Sequence, residues 1–379
     1  MLSRLRLRLR PRLSSPLTSP NGPFRCSGVT VRYQSTSSPI QNHEATSHKA
    51  NQDIHKQSVR LKQTNSRVET VVGEIDLELF RKAAWIPETP LLLQSFHGLP
   101  AMQKWFQNSP DNSHINFTQY LKAYEDIALP YEFTAPRTYR PDSPSSEDQI
   151  LTNFLKWLRE SHEYRGSCLP VVVEAIIQSS SEEQGPRNSA LDFQQLDAPL
   201  SLIMSACQFN STKDNPSERI KNLYVAQSDL SNLPHPLSQD LPVPHIVKYV
   251  GKGDIYSSSI WLGLQPTYTP LHRDPNPNLF CQLVGSKRIR LMTPGHGDGV
   301  YARVRREINS HGNSRFRGTE MMRGHERELL HRAVWDDGAV DEVFLDAGDA
   351  LFIPKGWWHS VASSDDDGGL NASVNWWFR

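Results

Sequence analysis

Cysteine and long hydrophobic runs are both scarce in this sequence. The 379 residues include four cysteines, without the close spacing of a zinc site or a disulfide framework: Cys26, Cys168, Cys207 and Cys281. Such usage favours a reducing compartment. No run approaches the roughly 18 apolar residues that cross a bilayer, so no membrane span is predicted. The formal net charge is zero, so charge balance alone gives no argument for a nucleic-acid or membrane partner.

Acidic residues are absent from the chain before Glu44, whereas seven arginines precede residue 41. Leucine, serine and proline fill the spaces between them. An Arg-rich, Ser-rich segment without acids is typical of a mitochondrial transit peptide, which we predict over residues 1–35, with the matrix as destination. The alternative is a disordered basic tail that binds nucleic acid or has no role. Residues 36–66 are polar and without periodicity, which predicts a disordered linker.

The rest of the chain divides into two parts. Residues 67–219 alternate helical patterns with apolar runs and predict a helical or mixed part that packs on a C-terminal barrel. The run at 171–177 fits either a helix or a strand. Residues 220–379 contain many short β-like runs punctuated by Pro, Gly and Asn, which predict a β-sandwich or barrel. The predicted runs include NLYVAQ, HIVKYV, SSIWLGL, NLFCQLVG, RIRLMTP, ALFIPKG and NASVNWWF.

Three residues in the second part have the chemistry of a metal site. His272 and Asp274 are two positions apart, so on a strand their side chains share one face. His359 lies far along the chain in a strand–turn–strand pattern. Two imidazoles and one carboxylate form the facial triad of non-haem iron(II) oxygenases, which leaves coordination positions open for reactants. The simpler interpretation, in which each histidine is a hydrogen-bonded structural residue, is less consistent with these surroundings.

Lys287 follows a Val284-Gly285-Ser286 segment that predicts a hairpin turn. On the strand that begins there, Lys287 shares a face with apolar Ile289 and Leu291. An inward lysine among apolar neighbours is costly unless it meets an anion. Spacing alone also allows a solvated hairpin lysine.

These runs resemble the JmjC-type protein hydroxylases, and among them the asparaginyl hydroxylase that inhibits hypoxia-inducible factor. The resemblance covers residues 220–379 well and residues 70–220 loosely. It rests on Thr-Pro before the first ligand, the HxD pair, the lysine after a Gly-x turn and the run GDALFIPKGWWH at 348–359. The resemblance implies a double-stranded β-helix (the jelly roll of cupin and JmjC proteins), mainly β with flanking helices.

The resemblance also implies roles for individual residues. The metal ligands are His272, Asp274 and His359. The cosubstrate 2-oxoglutarate is bound through Lys287 and Thr269, with Tyr224 as a further hydrogen-bond partner. The remaining site residues that it implies are Asn278 and Asn375.

Residues 295–343 form an insertion in which we find no apolar period. From Tyr301 to Arg332 it carries eight arginines against four glutamates. It is either a basic lid that favours an acidic peptide or an RNA backbone, or a solvated surface loop. We assign its histidines to the surface. The C-terminal helices through which the resembling hydroxylase dimerises have no counterpart before Arg379, so that mode of dimerisation is not expected, and the oligomeric state is open.

The expected activity is that of a mitochondrial dioxygenase that uses iron(II), 2-oxoglutarate and dioxygen to hydroxylate a protein side chain. Three alternatives stay open at this point. The same chemistry applies to a tRNA base or to methyl-lysine, where hydroxylation leads to demethylation. The third is a non-catalytic, metal-binding cupin that acts as an interaction module.

Overall fold

The computed structural model describes residues 68–110, 114–136, 146–181, 191–308, 324–336 and 340–379. The predicted transit peptide (1–35) and linker (36–66) therefore lie outside the described residues. So does most of the surface loop predicted at 179–189. Within the described ranges, no helix combines the length and apolar character needed to cross a membrane.

A nine-stranded sheet forms one half of the molecule. Its strands are β1 (Glu69–Val72), β2 (Leu91–Gln94), β5 (Ala128–Pro136), β6 (Leu191–Pro199), β7 (Leu223–Asp229), β8 (Ile255–Leu264), β10 (Asn278–Val284), β13 (Ala350–Ile353) and β15 (Leu370–Phe378). Their order in the sheet is β1-β2-β13-β10-β15-β8-β7-β5-β6, and every neighbouring pair except β1 and β2 is antiparallel.

A four-stranded antiparallel sheet faces the larger one. Its order is β12-β11-β14-β9, and its strands are β9 (Tyr268–Arg273), β11 (Lys287–Met292), β12 (Asp341–Leu345) and β14 (Trp358–Ser363). One buried cluster contains Phe280 and Leu351 of the large sheet together with Ile289 and Val361 of the small sheet. Alternation of side chains along each strand supplies this shared apolar layer. The architecture is a jelly roll, as predicted, with a separate two-stranded ribbon of β3 (Phe106–Asn108) and β4 (Ile115–Phe117).

The hairpin predicted at Val284-Gly285-Ser286 is wrong. The strand before it, β10, pairs with β13 and β15, whereas the strand after it, β11, pairs with β12 and β14. The turn therefore carries the chain from one sheet to the other. Gly285 has φ +67°, and a Cβ there would lie 2.8 Å from the Asn371 side chain, so a larger residue would strain this crossing.

Helices cover the outer face of the large sheet. They are α1 (Leu77–Phe80), continued by a π-helical turn (Arg81–Trp85), α2 (Pro100–Lys104), α3 (Gln119–Lys122), α4 (Ser146–Glu160), α5 (Leu169–Ser181), α6 (Ser201–Ser211), α7 (His235–Gln239) and α8 (His245–Tyr249). The main core contains Phe154 of α4, Phe209 of α6 and Leu262 of β8. The ambiguous run at 171–177 is helical. The strand predicted for HIVKYV is wrong, because Ile246 and Val250 are buried one helical turn apart on and just after α8.

The insertion has a small core of its own. It contains α9 (Pro294–Glu307), α10 (Gly324–His331) and a π-helical turn (Arg332–Asp336), while residues 309–323 lie outside the description. Val300 and Val304, one helical turn apart, pack with Leu330 and with Trp358 of β14. The expectation of a segment without an apolar period is therefore wrong for these described ends. His296, His325 and His331 are exposed, as expected, and His311 is not described.

Candidate metal centre

Two strands of the small sheet bring the three predicted metal ligands together. His272 of β9 lies directly opposite His359 of β14, and Asp274 follows β9 by one residue. The two imidazole rings are 4.2 Å apart between centroids. One ligand atom from each of the three residues lies within 4.8 Å of the others, and all three residues are buried. Among the described residues, this is the one such group of His, Cys, Asp and Glu.

Backbone carbonyls fix the orientation of both imidazoles. Nδ1 of His272 lies 2.9 Å from the Pro270 carbonyl oxygen, and Nδ1 of His359 lies 3.2 Å from that of Trp357. A carbonyl oxygen only accepts hydrogen bonds, so each Nδ1 carries the proton and each Nε2 has a free electron pair in the neutral ring. The two Nε2 atoms lie 3.9 Å and 3.6 Å from the Asp274 carboxylate oxygens. This is the tautomer that binds a cation.

A chain of hydrogen bonds holds the Asp274 carboxylate. The Trp261 indole N–H donates to Asn375 (2.7 Å), the Asn375 amide donates to Asn278 (3.0 Å), and the Asn278 amide donates to Asp274 Oδ2 (2.9 Å). The residues of this chain are buried. The structure thus brings Asn278 against the proposed ligand and places Asn375 one bond further away. Trp261 was not predicted, although a buried tryptophan on a strand needs a partner for its N–H.

The triad opens onto a cavity of about 190 Å³. Its walls include Trp261, Phe280, Val361 and Trp377, and its polar lining includes Thr269. Two nitrogens and one carboxylate on one side, with a cavity on the other, fit a metal that keeps positions open for reactants. The donor set and the neutral tautomers are therefore consistent with iron(II) held by His272, Asp274 and His359.

A β-bulge explains how Thr269 and His272, three positions apart, line the same cavity. His272 pairs with His359 and Thr269 pairs with Val361, so three steps along β9 oppose two along β14. The extra residue shifts the alternation of side chains by one position. Leu271, between them, packs instead against Trp358 on the outer side. Simple period-two reasoning from the sequence would have separated Thr269 from His272.

Lys287 is buried at the inner end of this arrangement, with 1% of its surface exposed. Its Nζ donates to the Tyr224 hydroxyl at 3.4 Å and to Thr267 Oγ1 at 3.5 Å. It also lies 5.3 Å and 5.9 Å from the ring centroids of Tyr224 and Phe280, which line the cavity. No carboxylate of the described residues pairs with it, and burial lowers the pKa of Lys287 to about 7.

An anion is the partner that such an ammonium group requires, because a buried, uncompensated charge is costly. The surroundings of Lys287 fit the distal carboxylate of a dicarboxylic acid, with the Tyr224 and Thr267 hydroxyls as further donors. The structure excludes the solvated hairpin lysine that spacing alone allowed. Thr267 was not predicted. It lies just before β9, and two residues before Thr269, which was the threonine that the sequence indicated.

The sequence is similar to those of known proteins. A family model described as a cupin-like domain matches residues 76–379. A lysine-specific demethylase of Arabidopsis thaliana is 29% identical over 169 residues, which are 44% of this chain and 36% of that protein. JmjC domain-containing protein D of Dictyostelium discoideum is 30% identical over 150 residues (37% and 32%). Lysine-specific demethylase 8 of Danio rerio is 30% identical over 157 residues (41% and 36%).

The chain spans about a third of the length of these curated relatives. The family model, in contrast, covers both sheets, all three proposed metal ligands and Lys287. Together with the jelly-roll architecture, this match shows that the chain belongs to the family of cupin-like domains, with JmjC proteins among its relatives.

Proposed function

We propose that this protein is an iron(II)- and 2-oxoglutarate-dependent dioxygenase that hydroxylates a protein side chain in mitochondria. The observation that carries the proposal is the buried His-Asp-His group, which opens on a cavity beside a buried lysine that has no carboxylate partner among the described residues. JmjC enzymes use iron(II) and 2-oxoglutarate, which need these two features together. A metal-binding cupin without this cosubstrate has no use for the buried cation.

Each group of the site has a defined task in this reaction. His272, Asp274 and His359 would hold iron(II), which when bound supplies the coupled chemistry of dioxygen and 2-oxoglutarate. Asn278 orients the Asp274 carboxylate through its 2.9 Å hydrogen bond. Lys287 pairs with the distal carboxylate of the cosubstrate, and Tyr224 donates a hydroxyl beside it. These interactions position the cosubstrate so that its keto acid end faces the metal.

The cavity walls are mainly apolar around the triad. Trp261, Phe280, Val361 and Trp377 supply apolar surface around the open side of the triad. An apolar lining would limit side reactions with water when iron(II) is bound, and it strengthens the attraction between Lys287 and a carboxylate. Thr269 is a buried polar group on this lining, and we assign it a hydrogen bond to the cosubstrate.

Turnover of 2-oxoglutarate is the decisive assay. Purified protein with iron(II) and dioxygen should form succinate, and the His272→Ala and Asp274→Ala variants should not. Mass spectrometry of mitochondrial proteins should then show the gain of one oxygen atom on a side chain. Absence of succinate from folded, iron-loaded protein in the presence of such extracts would contradict the proposal and favour a non-catalytic interaction module.

Demethylation of methyl-lysine is a second candidate, because two of the relatives carry the name lysine-specific demethylase. The chemistry begins with the same hydroxylation, but a hydroxylated N-methyl group leaves as formaldehyde. Release of formaldehyde and loss of a methyl group from a peptide would distinguish it from stable hydroxylation. A tRNA base is the third candidate substrate. The arginine-rich stretch 301–332 would then bind the tRNA backbone. Substitution of Arg303 and Arg306 by glutamine should impair modification of tRNA, and peptides should not be modified by the wild type.

Mitochondrial location rests on the composition of residues 1–35. Fusion of this segment to a fluorescent protein should direct the protein to mitochondria. Replacement of its arginines by glutamine should abolish import, because the positive charge drives movement along the membrane potential. A cytosolic location of the intact fusion would refute this part of the proposal and leave the chemistry unaffected.

A further inference from the structure

A second cavity of about 820 Å³ lies on the opposite side of the small sheet from the triad. Its floor is the outer face of that sheet, where Tyr268, Ala362 and Arg288 lie side by side on β9, β14 and β11. Its opposite wall carries Arg327 and His331 of α10. We call this cavity the sheet–helix groove. Its volume is in the range of small-molecule binding sites.

Hydrogen-bond donors in the sheet–helix groove are buried without a partner. Within the described part of the chain, this holds for Nε of Arg288, Nε of Arg327 and the hydroxyl of Ser364, and all three residues line the groove. Leaving a buried donor unsatisfied destabilises a folded protein, most of all when the group is charged. Guanidinium groups only donate, so the missing partner must be an acceptor.

Aromatic rings hold the two guanidinium groups in place. The guanidinium carbon of Arg288 lies 5.1 Å from the ring centroid of Trp335, and that of Arg327 lies 5.0 Å from the ring centroid of Tyr268, which are cation–π distances. Contact through the face of a guanidinium group leaves its N–H edge for planar, two-point recognition of an oxyanion. Neither arginine forms an ion pair with a carboxylate of the described residues, in contrast to Arg290 on the same strand, which pairs with Glu342 at 2.7 Å.

Five carboxylates also line the sheet–helix groove, and among the described residues none of them forms an ion pair with Arg288 or Arg327, although the charge of Glu328 raises the pKa of Arg327 against the lowering by burial. Glu328 pairs with His325 at 3.6 Å, and Asp367 pairs with Arg219 at 3.9 Å. The other three, Asp336, Asp365 and Asp366, are exposed at the rim, where water screens their charge. The groove therefore has one half-buried arginine on its floor and one on its opposite wall, and exposed carboxylates at its rim.

We propose that the sheet–helix groove is a second binding site, for a small ligand that carries a phosphate or carboxylate group. The N–H edges of Arg288 and Arg327 and the Ser364 hydroxyl donate to the oxyanion. The rim carboxylates accept from hydroxyl or amino groups on the rest of the ligand. The site is distinct from the metal centre, because Arg288 leaves the small sheet on the opposite face from its neighbour Lys287 and faces Arg327 of α10. The two cavities adjoin at Thr267, which lines the groove and whose hydroxyl accepts from Lys287.

Calorimetric titration of the full-length chain tests this site. Inorganic phosphate, adenosine monophosphate and acetate serve as probes, so that the two sources of an oxyanion are distinguished. Saturable binding of at least one probe is expected in the wild type. Arg288→Gln and Arg327→Gln should each weaken it by about tenfold or more, because each removes a charge-assisted contact. Ser364→Ala, which changes no charge, should weaken it by roughly threefold.

Two controls separate this site from the rest of the protein. Arg303→Gln removes the same charge from an exposed position of the insertion and should leave binding unchanged. Lys287→Met removes the cation of the first cavity and should also leave it unchanged. The proposal is overturned if no probe binds, if the groove variants bind like the wild type, or if Lys287→Met abolishes binding. The melting temperature of each variant verifies that it is folded.

Discussion

Lys287→Met is the most informative single change, because it removes the ammonium group and keeps a chain of similar length. Lys287 is 1% exposed, and its polar neighbours among the described residues are the neutral hydroxyls of Tyr224 and Thr267. We expect the variant to lose most of its affinity for 2-oxoglutarate and to keep its affinity for the metal, whose ligands are unchanged.

The magnitude follows from the burial of the charge. Truncating one partner of a buried charge pair costs about 2–5 kcal/mol. Part of this interaction free energy is offset by protonation of the lysine. Burial lowers the Lys287 pKa in the free protein to about 7, so binding of the carboxylate must restore the proton. The hydroxyls of Tyr224 and Thr267 also continue to donate in the variant. We therefore expect the lower part of the range, about 2–3 kcal/mol, or roughly a 30- to 150-fold rise in the dissociation constant.

Calorimetry with 2-oxoglutarate and with 2-oxopentanoate, which lacks the distal carboxylate, measures this interaction. The two ligands and the two proteins, wild type and Lys287→Met, together form a thermodynamic cycle. The wild type should prefer 2-oxoglutarate strongly, and Lys287→Met should bind both compounds with similar affinity. Lys252→Met, at an exposed lysine, is the matched control and should behave like the wild type. Equal 2-oxoglutarate affinity in Lys287→Met and wild type, with metal binding intact, would refute the assignment of the lysine. A folding defect is not expected, because the exchange removes a desolvated charge.

Three further outcomes are expected. First, 2-oxoglutarate affinity should fall by up to about tenfold per pH unit above pH 7 and level off below it, because Lys287 of the unliganded protein loses its proton as pH rises through its lowered pKa. Dissociation constants measured across this pH range should be nearly constant in Lys287→Met. Second, Asn278→Ala should weaken metal binding by about 10- to 100-fold, because the Asp274 carboxylate loses its 2.9 Å donor; a cobalt(II) titration measures this, and unchanged affinity would contradict the orienting role. Third, Gly297→Ala should lower the unfolding free energy by about 1–3 kcal/mol, because its Cβ would lie 2.2 Å from the Trp358 ring. Denaturant unfolding measures this, with Gly295→Ala as control, because a Cβ at Gly295 meets no atom within 4 Å.

Strand periodicity predicted part of the geometry of the candidate metal centre, and the family resemblance added His359. The HxD spacing places His272 and Asp274 on one face, and the jelly roll brings the strand of His359 beside them. The inward direction of Lys287 follows from the same alternation with Ile289 and Leu291. These features depend on the two-residue repeat of a β-strand, so they can be predicted from the sequence alone.

Features that depend on packing between distant segments could not be predicted in this way. The β-bulge in β9 changes which residues face the cavity, and no residue type marks it. Trp261 and Thr267 join the site only because β8 and the segment before β9 lie beside the residues that they contact. The short run HIVKYV fits a strand and a helix equally, and burial of Ile246 and Val250 against the core decided for the helix. In the insertion, Val300 and Val304 are too few to reveal a helical period in the sequence. Their cluster also includes Trp358, which lies far away in the sequence.

The two cations at the start of β11 face different cavities: Lys287 faces the candidate metal centre, and Arg288 faces the sheet–helix groove. Lys287 and Arg288 are neighbours on one strand, so their side chains leave opposite faces of the sheet, and neither meets a carboxylate among the described residues. Each lowers the stability of the empty protein, and each anion that binds should raise its melting temperature by mass action. Because rigid β-pairing separates the two faces, we expect the shifts caused by 2-oxoglutarate with manganese(II) and by a groove anion to add. Lys287→Met should remove the first shift alone and Arg288→Gln the second alone. Loss of both shifts in either variant would contradict two separate sites and would indicate one shared pocket.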